Sequence, residues 1–337
     1  MKNFKLIFLI LFFTTIYFLN LKGYLTAGGD DTYYFLLAKS LKETKTYSDI
    51  YLPKIEPHKV YPPIFPFLLS ILMQFGIKNI FLLKLLPLFS SLISLFFLYF
   101  LLKHHQIKEP YKIIALFALS PLLVYKSTNL LSEPLYILFS FLALLFLDLS
   151  NKKNSYLYLA IFFIVLAFYT RTVGLALVLT FFIFYKDKPK KFLLAGSFII
   201  ISISFWFFRL YKVGSVYFDF LLKKEVSNLA DLFFRFFKNF FIYISKIIAD
   251  LFFYPVFEDI TKKNPLIFLK IFLSLFFTFF ILKGFIMSFK KRKASFNIYV
   301  IFFLIICFFW PLYGARFILP IFCFLILFLF EGLEYFK

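Results

Sequence analysis

Asp30 and Asp31 stand side by side behind two glycines, in Gly28-Gly29-Asp30-Asp31-Thr32-Tyr33-Tyr34. The glycines let the chain turn tightly, and a helix can begin at the acids. One Asp can cap that helix, because a short carboxylate accepts backbone N–H groups there. Capping explains one acid well and the pair less well. The chemical alternative makes one Asp a general base that removes the proton of an attacking hydroxyl. The other then orients it, binds sugar hydroxyls or helps hold a divalent ion through hard oxygen ligands.

Three further clusters carry charge in an apolar setting. Asn129-Leu130-Leu131-Ser132-Glu133-Pro134 opens an apolar run. Ser132 suits an N-cap, Pro134 a first turn, and Glu133 gains from the positive helix end. Yet a carboxylate at the mouth of a membrane bundle is expensive unless solvated or paired, so Glu133 is also a site candidate. Arg171 lies in Tyr169-Thr170-Arg171-Thr172-Val173-Gly174, and Arg316 in Tyr313-Gly314-Ala315-Arg316-Phe317-Ile318-Leu319-Pro320. Each Arg either snorkels to lipid headgroups or uses its fork to grip a lipid-linked phosphate, with Tyr313 beside Arg316. Tyr61-Pro62-Pro63-Ile64-Phe65-Pro66 reads as architecture, three prolines fixing how the next apolar segment begins. His58 and Lys59 just before it could touch a substrate phosphate, with loop surface as the plainer fate.

Metal signatures are missing from the sequence: there is no His-x-x-x-His, and the histidines are His58, His104 and His105. Cys307 and Cys323 both lie in apolar runs without metal spacing. No cofactor is required by these residues. A divalent cation such as Mg or Mn could be held by Asp30 or Asp31 together with Glu133. Walker A and GxGxxG patterns are lacking too, which argues against an ATP-driven pump or a nucleotide-cofactor enzyme.

The elements that must position these residues are membrane helices. Of 337 residues 62% are hydrophobic and 16% charged, with 59 Phe, and the mean hydropathy is +0.89. A soluble domain carries about a quarter charged residues, so lipid must solvate most of this chain. The net charge of +21 comes largely in short loop runs such as Lys186-Asp187-Lys188-Pro189-Lys190-Lys191. That pattern fits the positive-inside rule and not a nucleic-acid surface. Apolar windows mark spans near 5–21, 79–102, 133–149, 192–210, 265–283 and 296–311, with shorter ones at 112–126, 156–170, 173–185 and 317–331. The expected fold is an all-α, polytopic helical bundle of about ten transmembrane helices (range 9–12) with extracytoplasmic juxtamembrane helices.

Charge placement orients this bundle. If 62–77 stays on the outer face, the basic loops at 103–112, 151–154, 186–191 and 283–293 all fall inside, as do both termini. The first span, behind Lys2 and Lys5, reads as a retained helix. A first extracytoplasmic loop covers 22–78 and a second long segment 211–263. In the latter, Lys223, Lys224, Glu225, Asp231, Arg235, Lys238, Lys246 and Asp250 recur among Phe, Leu and Ile. This suggests amphipathic helices on the membrane surface, the alternative being one further span near 232–254. The whole of 1–337 reads as a single transmembrane domain.

The order of these motifs resembles the GT-C glycosyltransferases of the protein mannosyltransferase and aminoarabinose transferase type. It runs from an acidic pair, through Pro-Pro, Ser-Glu-Pro and Thr-Arg-Thr, to Arg-Phe-Ile-Leu-Pro. The resemblance covers about residues 5–330 as an architecture. It implies a multi-pass inner-membrane enzyme whose active site faces outward, taking sugar from a polyprenyl-phosphate donor in the bilayer. The acceptor is a lipid, glycan or protein. By the same resemblance Asp30 or Asp31 is the essential loop Asp, Asp30 being favoured. Glu133 lies beside the donor groove, Arg316 contacts the lipid phosphate with Arg171 as a further candidate, and 211–263 helps select the acceptor. The sequence ends at Lys337 without the soluble domain of larger members, which leaves lipid or glycan acceptors more open than protein. The rival function is a transporter or flippase of a lipid-linked or anionic substrate, although no duplicated half with paired broken helices is visible. Oligomeric state is not legible.

Overall fold

The computed structural model describes residues 2–26, 29–214, 216, 229–256 and 266–335, the side chains of 2–4 and 191 excepted. Gly28 and the charged run Lys223-Lys224-Glu225 lie outside the described residues. Regular structure among the described residues is helical apart from one small antiparallel ladder. That ladder pairs Ser48 with Pro57 and Asp49 with Glu56.

Among the described residues four helices are long and apolar enough to cross a membrane: Ile80–His104, Phe192–Val213, Leu266–Lys291 and Ala315–Glu334. Shorter apolar helices of 10–17 residues include Lys5–Leu19, Ile64–Gln74, Asn154–Thr170, Thr172–Tyr185 and Ser295–Phe309. A perpendicular crossing needs about 20 residues, so the expectation of about ten spans resolves into fewer full-length helices and several shorter ones. The Ile64–Gln74 helix has 11 residues. At about 1.5 Å per residue it reaches about half of the hydrocarbon thickness. The expected helix over 112–126 is broken into Pro110–Ala118 and Pro121–Ser127. Pro121 lacks an N–H and disfavours a helical Ser120, which ends the first segment.

The chain divides into two compact units, Met1–Leu101 with Val124–Tyr217, and Leu102–Leu123 with Phe218–Lys337. In the first, the Glu133–Leu149 helix is buried nearly all round, as an apolar helix without a polar face must be. It packs along Asn154–Thr170, where the Phe146 ring stacks on Tyr156 and Phe163. The Asp30–Glu43 helix lies against Ile64–Gln74. Tyr34 and Ala38 on one side meet Phe65, Leu69 and Met73 on the other. Both sets recur every four residues and so share one helix face.

In the second unit, Leu266–Lys291 and Phe322–Glu334 approach so closely that their glycines have no room for a side chain. A Cβ on Gly284 would stand 1.8 Å from the Phe328 carbonyl oxygen, and one on Gly332 would stand 2.0 Å from that of Phe280. Small residues permit such contact where no hydrophobic force drives helices together in lipid. Over 211–263 the described residues from 229 to 253 form one unbroken helix rather than several. It runs through Leu229–Ile242, a π turn at Tyr243–Ile247 and Ile248–Phe253. It packs against Leu266–Lys291 and Ser295–Phe309, and Arg235, Asn239 and Asp250 are buried. Asn239 donates to the carbonyls of Phe308 (2.9 Å) and Trp310 (2.7 Å), so that it closes the end of the Ser295–Phe309 helix. Asp250 pairs with Lys270 at 2.6 Å.

Candidate active site

Asp30 and Asp31 occupy the first turn of Asp30–Glu43, with Gly29 at the N-cap and no side-chain capping bond. The expected Asp cap is therefore not used. The positive helix end still favours both acids. Their surroundings separate them. Asp31 is 1% exposed; its oxygens accept from the backbone N–H of Thr26 (2.8 Å) and of Thr32 (2.9 Å). It ties the loop to the helix. Asp30 is half-buried and accepts the Tyr61 hydroxyl at 2.8 Å.

Tyr61 links the acid to two further groups. Its ring lies 4.7 Å from that of Tyr34 and stacks on His58 at 5.4 Å, 16° between planes. His58, expected at a loop surface within reach of phosphate, is instead 2% exposed. Its Nδ1 is 2.6 Å from Asp49 Oδ1, and its Nε2 accepts the Tyr61 backbone N–H at 2.8 Å. An acceptor Nε2 places the proton on Nδ1, so the ring is the neutral tautomer donating to Asp49. Burial pulls the imidazole below its ordinary value, against the raising effect of Asp49. Lys59 is 36% exposed and donates to Glu56 at 3.0 Å.

A second polar chain continues from Tyr34. Its hydroxyl shares a 2.8 Å hydrogen bond with Ser132, whose oxygen also accepts from Arg171 Nη1 at 3.2 Å. Ser132 sits at the N-cap of Glu133–Leu149 but makes no capping bond; its hydroxyl is committed to these partners. Arg171 Nη1 also lies 3.1 Å from Glu133 Oε1. The hinge behind Arg171 is tight, since a Cβ on Gly174 would stand 2.6 Å from Phe168 Cα. Asp30, Tyr61, Tyr34, Ser132, Arg171 and Glu133 thus form one continuous network across three helices.

Two cations in this unit were not singled out from the sequence. Lys84 is fully buried and donates to the Tyr24 carbonyl (2.7 Å) and Asn129 (3.2 Å). Arg209 packs its guanidinium over Tyr47 (5.3 Å) and Trp206 (5.1 Å). It lines an apolar cleft of about 370 Å³ with Tyr47, Pro63, Phe67, Tyr169 and Trp206. Both are lone basic residues inside apolar runs, and that was the signal: such a charge is costly unless it has a partner or a purpose. Asp49 and Tyr61 carried no such mark.

The second unit holds Arg316 and Tyr313. Arg316 is half-buried in the short helix Ala315–Ile318, and Tyr313 is 50% exposed. Of the ligands expected for a divalent cation, Asp30 accepts the Tyr61 hydroxyl. Asp31 holds backbone N–H groups and Glu133 faces Arg171. Among the described residues no three of His, Cys, Asp and Glu gather into a metal-holding group.

Neither a protein-family model nor a curated protein sequence matches this chain. Solved structures do. ArnT from Cupriavidus metallidurans in the apo state superposes with a TM-score of 0.58 at 11% identity, covering 98% of this chain and 59% of that one. ArnT from the same organism bound to undecaprenyl phosphate gives 0.59 at 12%, covering 98% and 60%. Archaeal oligosaccharyltransferase AglB from Archaeoglobus fulgidus, in complex with an inhibitory peptide and a dolichol-phosphate, gives 0.52 at 16%, covering 99% and 50%.

The fold is of the GT-C type. The chain spans about half to three-fifths of the length of these GT-C structures. A GT-C fold combined with four helices of membrane-crossing length among the described residues makes this an integral membrane protein.

Proposed function

We propose that this chain transfers a sugar from a polyprenyl-phosphate donor to an acceptor hydroxyl at the extracytoplasmic membrane face, with Asp30 as general base. The observation that carries the reading is the difference between the two acids within a GT-C fold. Asp31 is buried among backbone N–H groups, whereas Asp30 is half-buried and oriented by a tyrosine hydroxyl. ArnT and AglB have both been solved with a polyprenyl-type phosphate lipid, undecaprenyl phosphate and dolichol-phosphate respectively.

In the reaction the acceptor oxygen attacks the anomeric carbon as Asp30 takes its proton. The bond from that carbon to the phosphate oxygen breaks, and polyprenyl phosphate leaves with the electron pair. In-line attack inverts the anomeric configuration and needs no second carboxylate as a covalent nucleophile, whereas two closely placed carboxylates would permit a retaining route. Negative charge growing on the phosphate needs a cation. Lys59 suits this, since an exposed i,i+3 pair is worth only about 0–1 kcal/mol and releases its partner readily. Arg316 and Tyr313, in the second unit, keep the phosphate-binding chemistry that the resemblance gave them. Arg171 is engaged with Glu133 and acts by holding that acid and Ser132 in place. The cleft beside Arg209 would lodge the first isoprene units, each buried CH₂ contributing about 0.8 kcal/mol. The acceptor is a lipid, a glycan or a protein.

The test is transfer from a labelled polyprenyl-phosphate sugar in proteoliposomes. Asp30→Asn should lose about a hundredfold or more in kcat while remaining folded. Full activity in that variant would remove Asp30 as base. Movement of donor across the bilayer without release of polyprenyl phosphate would identify a carrier.

A further inference from the structure

Behind the candidate base stands a short relay that the transfer reaction does not itself require. The Asp49 carboxylate accepts from His58 Nδ1 (2.6 Å), His58 Nε2 accepts the Tyr61 backbone N–H (2.8 Å), and the Tyr61 hydroxyl donates to Asp30 (2.8 Å). Each link constrains the next. Asp49 lies in the small ladder and fixes the imidazole tautomer. The imidazole holds Tyr61 twice, by the hydrogen bond to its backbone and by stacking beneath its ring. Tyr47 closes the other side, with its ring edge-on to His58 at 5.4 Å and its hydroxyl donating to the Tyr61 carbonyl at 2.8 Å.

We propose that Tyr61 is a positioning residue for Asp30, held in register by neutral His58 and, behind it, Asp49. The proposal rests on the reading of Asp30 as base. A carboxylate at the first turn of a helix can rotate about its side-chain bonds, and a rotation of about 1 Å at the reacting oxygen is enough to lower the rate about a hundredfold. The Tyr61 hydroxyl suppresses that rotation by donating to the carboxylate. No proton leaves Tyr61 during transfer. The acceptor's proton goes to Asp30, and the phenol keeps its own.

The arrangement also makes the site sensitive to acid at a second point. A proton added to His58 Nε2 would face the Tyr61 N–H, turning an accepted hydrogen bond into a donor–donor contact. The groups around this imidazole are the Asp49 carboxylate, the Tyr47 and Tyr61 rings and, electrostatically, Arg209. Asp49 alone favours the cation. Burial and Arg209 oppose it. Acid therefore releases Tyr61, and Asp30 with it.

The experiment measures kcat and donor KM over about pH 5–9 for the full chain in proteoliposomes, with Tyr61→Phe, His58→Ala, His58→Gln and Asp30→Asn. Tyr61→Phe should lower kcat about tenfold to a hundredfold and leave donor KM unchanged. His58→Ala should show a similar loss. His58→Gln, whose amide oxygen can still accept the Tyr61 N–H, should recover most of it and give a shallower acid limb. Wild-type kcat in Tyr61→Phe, with Asp30→Asn inactive, would overturn the positioning role and leave the base standing. An active Asp30→Asn would remove both. If Tyr61→Phe does not fold, the histidine pair decides, and equal kcat in His58→Ala and His58→Gln would end the proposal.

Discussion

Arg171 Nη1 lies 3.1 Å from Glu133 Oε1, joining the end of the Asn154–Thr170 helix to the start of Glu133–Leu149. The Glu133 side chain is wholly buried and that of Arg171 is 18% exposed. Removing one partner of such a pair leaves an uncompensated buried charge, which costs about 3–5 kcal/mol. Arg171→Met should therefore unfold at markedly lower temperature in detergent, followed by tryptophan fluorescence. Glu133→Leu combined with Arg171→Met should recover much of that loss. If the double variant is no more stable than Arg171→Met, the pair is not what holds the junction.

The two neighbouring acids should separate in stability as they do in chemistry. Asp31→Asn keeps the shape but weakens charge-assisted bonds to two backbone N–H groups. Its cost should be about 1–3 kcal/mol, read as a lower unfolding temperature. Asp30→Asn, tested in parallel, should unfold close to the wild type. An equal loss in both variants would contradict the division of roles.

Much of the scaffold was readable from apolar run length alone. The window at 133–149 coincides with the Glu133–Leu149 helix, and 156–170 differs from Asn154–Thr170 by two residues at one end. These limits are set locally, by where charged or Pro-bearing sequence begins. The break at Pro121 was equally local and was passed over, because the hydropathy of 112–126 continues through it. The site was legible as residue types, not as pairings. Ser132 looked like a cap because it precedes Glu133-Pro134, yet its hydroxyl meets Tyr34, distant by 98 positions. Asp30 was favoured over Asp31 by resemblance alone, and the approach of Thr26 is what divides them physically. Tyr61 was read as part of a proline-rich turn, and only the fold sets its hydroxyl on Asp30.

Stability should also depend on pH through His58. Its folded value is depressed by burial, so the unfolded chain takes up the proton more readily. The stabilisation is complete above the ordinary imidazole value of about 6.5 and is lost as pH falls through the lower folded value. Unfolding temperature should drop between about pH 7 and pH 5. His58→Gln should flatten that drop. An unchanged slope in His58→Gln would assign the acid sensitivity elsewhere.

The crossing of Gly284 and Gly332 gives a prediction in the second unit. With a Cβ forced to 1.8 Å from a carbonyl oxygen, Gly284→Ala must push two helix backbones apart. A loss of about 1–3 kcal/mol or more is expected from overpacking, seen as early thermal aggregation in detergent. Tolerance of Gly284→Leu would show that the helices are not so close.

The Asp250–Lys270 contact bears on how the chain reaches the bilayer at all. Either residue alone, buried on an apolar helix, would oppose transfer of that helix into lipid, whereas together they present no net charge to the hydrocarbon. The helix carrying Asp250 and the one carrying Lys270 would then gain from packing together before either charge meets lipid.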